Sequence, residues 1–268
     1  MKRILLLTDF SENALNAIQY AKSVFKNSTV TFYLCNAYER FEMGSQNKDI
    51  AQNRLMQLVA KLQKEEGNSK HCFEAVPMVD ELISATKKVI VAKEIDYLVM
   101  GTKGSSAVRE IFMGSNAVRA LQQIDLCPMI FVPEDYRPLE KDHILIATDF
   151  SNFHERSELL PVIDIAETEK TKLTVVHVLR NETLTGYQKT LKGLLEKRLQ
   201  KVPYTMEEVR SSDPLPKLID RFITERKISL LAMIYRRQHF FESMWKSQVV
   251  KKLVFRIKVP FLVLPESA

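Results

Sequence analysis

The residues best suited to ligand chemistry lie between positions 100 and 116, in the sequence MGTKGSSAVREIFMGSN. Gly101 and Gly104 are separated by two residues, and the pair Gly114-Ser115 follows after nine more. Glycine lets a ligand approach main-chain N–H groups that a Cβ atom would shield. The free N–H groups at the start of a helix, together with the positive end of its dipole, attract anions. This spacing therefore predicts a site for a phosphate chain.

Two predicted elements position these glycines. The apolar run at residues 97–100 predicts a buried strand that ends where Gly101 begins the loop. Apolar residues at helical spacing after Ser115 predict a helix that starts there. A strand-to-helix loop needs some glycine in any case, and Ser115 could serve as an N-cap alone. The local pattern by itself leaves a phosphate site and an ordinary turn both open.

The chain contains an internal duplication. Residues 3–11 read RILLLTDFS and residues 143–151 read HILIATDFS, so Thr-Asp-Phe-Ser recurs 140 positions later (148 − 8). Later apolar segments of the two halves also correspond in order. Repetition over this length indicates two copies of one structural unit. We predict two homologous domains, at residues 1–138 and 139–268.

Apolar runs alternate with segments of helical period in both halves. The first half predicts five strands and four helices, which gives a parallel sheet with helices on both faces. Ligands bind to such sheets beyond the carboxyl ends of the strands. In the second half we expect a shorter second helix, at residues 184–200, that Gly186 and Gly193 break. The predicted strands are 2–8, 29–36, 72–76, 97–100, 128–132, 143–148, 172–178, 204–209, 229–234 and 260–264, and helices are expected to open at Ser11, residue 48, Asp80, Ser115 and Asp213-Pro214.

Composition indicates a soluble globular protein. The 268 residues are 46% hydrophobic, and no apolar run reaches the ~18 residues that cross a membrane. The apolar run after Met1 is too short for a signal sequence, so we expect a cytoplasmic protein. The net charge of +6 is spread along the chain, and a solvated surface explains it better than nucleic-acid binding. Cys35, Cys72 and Cys127 lie scattered among apolar residues and are expected to be buried thiols rather than metal ligands.

Three features together resemble the universal stress protein family: the glycine spacing, the Asp after the first strand and a fifth strand led by proline. The resemblance covers nearly the whole chain. It implies two tandem α/β domains of the five-stranded, Rossmann-like, adenine-nucleotide alpha-hydrolase type in three layers. It also implies ATP or another adenine nucleotide as ligand, with or without Mg²⁺. The implied nucleotide-binding residues are Thr8, Asp9 and Phe10 around the adenine, Ala37 on the base, Met100, Gly101, Lys103 and Gly104 at the ribose and phosphates, and Gly114, Ser115 and Asn116 on the phosphate tail.

The residues themselves support part of this assignment. Asp9 at a strand end can accept hydrogen bonds from a base or a ribose hydroxyl, although it could instead be only an N-cap partner. Gly114 and Ser115 offer main-chain donors and a hydroxyl to phosphate oxygens. Many family members have a histidine at the end of the second strand, where this chain has Asn36 in the first half and His177 in the second. Either residue is expected to make a structural hydrogen bond rather than to catalyse.

The second half departs from the glycine pattern. Ile234 stands for Gly101 and Lys246 for Gly114, so side chains occupy the space that phosphates need. We therefore predict that the second half does not bind nucleotide in the family's manner, although Asp149 persists. Two alternatives stay open for this half. Arg236, Arg237 and Lys246 could hold an anion by their side chains, and Phe240, Phe241 and Trp245 could either fill the cleft or bind a protein partner.

No sequence motif indicates dedicated catalysis. The chain has no Gly-x4-Gly-Lys-Ser/Thr loop and no Ser/His/Asp constellation around the glycines. The resemblance implies a role in stress signalling or protection, an intramolecular pseudo-dimer through antiparallel pairing of strands 128–132 and 260–264, and a further homodimer or an unknown protein partner. The alternatives are an interaction scaffold that has lost nucleotide binding and a slow ATPase in which Asp9 holds Mg²⁺.

Overall fold

The structure is a computed structural model that describes residues 1–38, 45–103, 114–137, 143–148, 150, 157–179, 183–210, 213, 215–235 and 258–265. The chain divides into two compact units, Met1–Glu134 and Asp135–Ala268. This division lies four residues (138 − 134) before the boundary predicted from the repeat. The assignment of the halves as homologous domains stays a prediction.

The first unit is a parallel sheet with strands and helices in alternation. The strand order is β3-β2-β1-β4-β5, and each neighbouring pair is parallel. The five strands and four helices expected for this half are confirmed. The elements are β1 (Lys2–Leu7), α1 (Glu12–Val24), β2 (Val30–Tyr38), α2 (Ser45–Glu65), β3 (His71–Val79), α3 (Leu82–Lys93), β4 (Tyr97–Gly101), α4 (Ser115–Gln123) and β5 (Met129–Val132).

Strand β1 lies at the centre of this sheet. It pairs with β2 on one side, where Leu7 lies opposite Cys35, and with β4 on the other, where Leu6 lies opposite Val99. The central residues of β1 are buried on both faces, which explains its unbroken apolar sequence. The chain runs from β1 through β2 to β3 on one side and returns through β4 to β5 on the other. This reversal makes the carboxyl ends of β1 and β4 the topological switch point of the sheet.

The second unit repeats this topology. Its strand order is β8-β7-β6-β9-β10, again with every pair parallel, so β6 takes the central place that β1 has in the first unit. A 3-10 helix at Ser157–Leu159 precedes its first α-helix. The elements are β6 (His143–Thr148), α5 (Leu160–Thr168), β7 (Lys172–Leu179), α6 (Gly186–Leu199), β8 (Tyr204–Arg210), α7 (Leu215–Arg226), β9 (Leu230–Tyr235) and β10 (Phe261–Pro265).

The threonine and the phenylalanine of the repeated sequence have the same arrangement in both units. Phe10 has φ 64° and Phe150 has φ 55°, a left-handed conformation that costs an L-residue ~1–2 kcal/mol. In each turn the phenylalanine N–H donates to the hydroxyl of the threonine two residues earlier, at 3.0 Å on Thr8 and 2.9 Å on Thr148. The sequence repeat therefore corresponds to a repeated backbone conformation at the end of the central strand.

The expected break in the second helix of the second half is wrong. Helix α6 runs without interruption from Gly186 through Gly193. Its start is fixed by a capping box in which the Thr185 side chain accepts from Gln188 N–H while the Gln188 side chain accepts from Thr185 N–H. Leucines buried at every fourth position outweigh the poor helix propensity of the glycines. These leucines are Leu191, Leu195 and Leu199.

Helix α3 is capped by a different residue from the one expected. Glu81, rather than Asp80, is the N-cap, and one of its carboxylate oxygens accepts from the N–H groups of Ile83 and Ser84. The longer glutamate side chain folds back over the first turn. Helix α7 begins at Leu215, and the expected opening residue Pro214 lies outside the described residues.

The cysteines differ in their surroundings. Cys35 and Cys127 are buried as expected, and burial raises the pKa of each thiol to about 12. Cys72 is exposed, contrary to expectation, because it lies on the outward side of β3, which is the edge strand of its unit. Within the described ranges, no helix is long and apolar enough to cross a membrane.

The continuity of α6 can be tested at Gly193. A Cβ atom at this position meets nothing within 4 Å, so Gly193→Ala should stabilise the second unit by ~0.5–1 kcal/mol through helix propensity alone. Urea unfolding followed by circular dichroism measures the difference between the variant and the wild type. Gly186→Ala, in the first turn of α6, is the matched control, and its gain in stability should be smaller. A loss of stability in Gly193→Ala would contradict an unbroken helix.

Candidate functional site

The predicted site residues gather at the carboxyl edge of the first unit's sheet. Three of them follow β1, two end β4, and two open α4, while Ala37 lies near the end of β2. Because β1 lies between β2 and β4, these segments meet at the switch point. Gly104 lies outside the described residues. The residues placed at this edge are Thr8, Asp9, Phe10, Ala37, Met100, Gly101, Lys103, Gly114, Ser115 and Asn116.

The turn after β1 exposes a carboxylate. Thr8 is 6% exposed, and its N–H donates to the Cys35 carbonyl at 3.0 Å, which extends the sheet by one residue. Asp9 is exposed, and its Oδ1 accepts from Ser11 N–H at 3.0 Å. Ser11 is the N-cap of α1, as expected, and its hydroxyl accepts from Ala14 N–H. Asp9 therefore supports the cap, as one interpretation of the sequence proposed, and also presents charge at the site.

The residue at the end of the second strand has the same role in both units. The side-chain amide of Asn36 donates to the Thr8 carbonyl at 2.7 Å. His177, which is buried, places Nδ1 2.9 Å from the Thr148 carbonyl. Since a carbonyl only accepts, Nδ1 carries the proton that is donated. The expectation of a structural hydrogen bond at both positions is confirmed.

The glycine segment is closed at its two ends. The N–H of Gly114 donates to the Thr102 carbonyl at 2.6 Å, and the N–H of Thr102 donates to Val132 at 3.0 Å, which ties the loop to β5. Gly114 is the N-cap of α4, with φ −69° and ψ 163°. Ser115 and Asn116 are exposed in the first turn, where a helix leaves its N–H groups without intrahelical partners. This turn carries no acidic residue, so none of its own side chains offsets the positive end of the helix dipole.

Lys103 is paired with a carboxylate. Its Nζ lies 2.9 Å from Oε2 of Glu134, with 16% of the lysine side chain and 45% of the glutamate side chain exposed. Partly exposed pairs of this kind contribute only ~0–1 kcal/mol to stability. The ammonium group therefore lies at the site edge in a contact that an anion of higher charge can compete for.

Two residues of this region were missed in the sequence. Arg54 of α2 places its guanidinium carbon 4.3 Å from the centre of the Phe10 ring, which brings a cation beside the turn after β1. Asn13 of α1 is 3% exposed, and its amide donates to the Lys103 carbonyl at 3.0 Å. Arg54 gave no signal, because it lies on an ordinary polar helix face. Asn13 gave a weak one, since it lies four residues before the buried Ala17 on the apolar face of its helix.

The remaining features are the possible metal ligands and the second unit's counterpart of the glycine segment, part of which lies outside the described residues. Within the described part of the chain, no cluster of three or more His, Cys, Asp or Glu side chains could hold a metal ion. Asp149 and the degenerate loop at residues 236–250 lie outside the described residues. The nucleotide contacts assigned to individual residues stay predictions.

The chain is similar to a known family and to several solved structures. The universal stress protein family model matches residues 1–133. A universal stress protein from Archaeoglobus fulgidus is 16% identical, with 99% of this chain and 98% of that chain covered and a TM-score of 0.75. A functionally unknown protein from Pseudomonas aeruginosa is 17% identical, with 99% and 93% covered and a TM-score of 0.65. At these identities the structural likeness establishes the Rossmann-like fold alone. No curated protein matches the chain.

The shared bond at the end of the second strand predicts how Asn36 can be replaced. Asn36→Ala removes the donor to the Thr8 carbonyl and should lower the free energy of unfolding by ~1 kcal/mol. Asn36→His copies the residue and the bond of the second unit, so it should retain most of that stability. Urea unfolding of the three proteins by circular dichroism measures the difference. Equal losses in the two variants would show that the hydrogen bond does not stabilise the turn.

Proposed function

Because this chain belongs to the universal stress protein family through its residues 1–133, we propose that its N-terminal unit binds ATP or another adenine nucleotide and acts in a stress response. One observation carries the proposal. The acidic turn after β1 and the glycine-capped start of α4 meet at the switch point of one parallel sheet. Such an edge accommodates a ligand that is polar at one end and anionic at the other.

The start of α4 is the proposed phosphate site. Gly114 has no side chain over the first turn, so oxygens can reach the N–H groups there. The hydroxyl of Ser115 and the amide of Asn116 add side-chain donors, and both residues are exposed. Gly101 and Gly104 are assigned main-chain contacts with the ribose and phosphates. Lys103 would exchange its contact with Glu134 for the more highly charged phosphate chain.

The turn after β1 is the proposed nucleoside site. The Asp9 carboxylate can accept from a ribose hydroxyl or from the amino group of the base. Thr8 and Phe10 would flank the adenine, Ala37 would contact the base, and Met100 would meet the ribose and phosphates. The cation–π contact of Arg54 keeps a guanidinium beside Phe10, where it adds attraction for an anionic ligand. Mg²⁺ would arrive with the nucleotide, and Asp9 is the carboxylate that we assign to it.

The wider role follows from the same assignment. We assign binding without dedicated catalysis, in the cytoplasm, where adenine nucleotides are abundant. The second unit is assigned no nucleotide, because its sequence replaces Gly101 and Gly114 with Ile234 and Lys246. Antiparallel pairing of the two fifth strands in a pseudo-dimer, further self-association and a protein partner that responds to the ligand belong to the proposal too. The proposal includes no nucleic-acid or membrane partner.

Nucleotide binding is tested by titration calorimetry together with thermal unfolding. ATP with Mg²⁺ should release or absorb heat with one site per chain, and ATP at 100 times its Kd should stabilise the folded state by ~2.7 kcal/mol. Parallel titrations with ADP, AMP and a cyclic nucleotide identify the preferred ligand. If millimolar nucleotide produces neither heat nor a shift of the melting temperature, the chain is instead the interaction scaffold that has lost nucleotide binding.

The same samples test the slow-ATPase alternative. Phosphate release should equal the buffer background in the wild type and in Asp9→Asn. A rate above background that Asp9→Asn removes would show that the unit is an ATPase. Asp9→Asn keeps an oxygen that can accept from Ser11 N–H, so the N-cap contact survives the substitution and the fold should be retained.

The phosphate site is tested with Gly114→Lys, which imitates the second unit. The φ of −69° at Gly114 suits any residue, so the variant should fold normally. We expect ATP affinity to fall at least about tenfold, or ~1.4 kcal/mol. The added positive charge alone would strengthen phosphate binding, so a loss identifies the bulk of the side chain as the cause. Gly67→Lys, where a Cβ meets nothing within 4 Å, makes the same charge change and should bind as the wild type does. Unchanged affinity in Gly114→Lys would contradict the assigned phosphate site.

A further inference from the structure

Asn13 is a buried polar residue that joins α1 to the glycine segment. Its side chain is on the inner face of the helix, and the whole residue is 3% exposed. Its Nδ2 donates to the Lys103 carbonyl at 3.0 Å, across 90 residues of sequence. Its Oδ1 is buried and has no hydrogen-bond partner within the described residues. If this position served packing alone, an apolar side chain would fill it at a lower cost in free energy, because it would leave no buried oxygen without a hydrogen bond.

Gly101 makes room for that side chain. A Cβ atom on Gly101 would lie 2.7 Å from Nδ2 and 2.8 Å from Cγ of Asn13, closer than real Cβ contacts. Backbone conformation does not demand glycine here, since no glycine in the described ranges has a positive φ. The first glycine of the pattern is therefore required by a neighbouring side chain of the same unit.

The sequence of the second half changes both members of this pair. The repeat aligns Phe153 with Asn13 (153 − 13 = 140), and the fourth strands align Ile234 with Gly101 (234 − 101 = 133). An amide donor beside a residue without Cβ is thus replaced by two large apolar residues. The half that loses the glycine also loses the asparagine that needs it.

The bond from Asn13 acts close to the start of α4. Lys103, whose carbonyl it holds, follows Thr102, and the Thr102 carbonyl accepts from the N–H of Gly114. Asn13 therefore fixes the chain one residue away from the bond that closes the loop and aligns the helix end. We propose that Asn13 is a positioning residue for the phosphate-binding loop, and that Gly101 serves to admit the Asn13 side chain. Only the identity of the ligand rests on the function proposed above.

The pairing is tested by a double-mutant cycle with Asn13→Ala, Gly101→Ala and the double variant. In the wild-type background, Gly101→Ala must displace the Asn13 amide and should lower the folding equilibrium constant at least about tenfold. In the Asn13→Ala background the added methyl group has space, and its effect should be under about threefold. Urea unfolding measures both. If Gly101→Ala alone fails to fold but the double variant folds, Asn13→Ala has relieved the clash, and the pairing is supported more strongly.

Positioning is tested by a readout that packing alone would not change. Amide hydrogen exchange of Gly114 should be faster in Asn13→Ala and in the double variant than in the wild type. The amide of Leu98, which donates to Pro128 at 2.9 Å inside the sheet, is the control and should keep its rate after correction for global stability. ATP affinity should fall in Asn13→Ala and stay low in the double variant, although the double variant has space for the methyl group added at position 101.

The outcomes separate this inference from the proposed function. Equal costs of Gly101→Ala in the two backgrounds, or failure of both backgrounds to fold with it, would overturn the pairing. Coupled stabilities with unchanged Gly114 exchange would show a packing contact only and would overturn the positioning role. If the wild type binds no nucleotide, the proposed function fails, whereas Gly114 exchange still decides the role of Asn13.

Discussion

The central position of β1 is the constraint on which the rest of the first unit depends. Its side chains from Ile4 to Leu7 are buried on both faces, and its two edges pair with β2 and β4, so it cannot shift without exposing the core. The chain that leaves β1 and the chain that leaves β4 therefore emerge side by side. Polar groups from distant parts of the sequence meet there because apolar burial fixes the strands beneath them.

The turn after the central strand is a second fixed feature. Both units hold a phenylalanine in the left-handed conformation, and in both a side chain from the second strand binds the threonine carbonyl. The Asn36 amide in the first unit and the His177 imidazole in the second each donate a hydrogen bond to the threonine carbonyl at this turn. Backbone geometry thus explains the repeated threonine and phenylalanine in both units.

Glycines in this chain serve unlike purposes. Gly114 leaves the first turn of α4 uncovered, Gly101 leaves space for a neighbouring amide, and Gly193 lies inside a helix that buried leucines sustain. A spacing pattern treats these residues as equivalent. Their differences arise from which atoms the fold brings near each one, so a shared signature in the sequence covers separate physical roles.

The sequence by itself determined the alternation of strands and helices, their approximate bounds, the duplication and the edge of the sheet where the predicted site residues lie. These properties follow from local periodicity and from repetition, which a linear pattern records. It misplaced the cap of α3, the break in α6 and the burial of Cys72, where one side chain or one edge position decided the outcome. Only the tertiary structure brought Asn13 to Gly101, Lys103 to Glu134 and Arg54 to Phe10. Such contacts join residues tens of positions apart, and they depend on how helices pack on the sheet, which no local period contains.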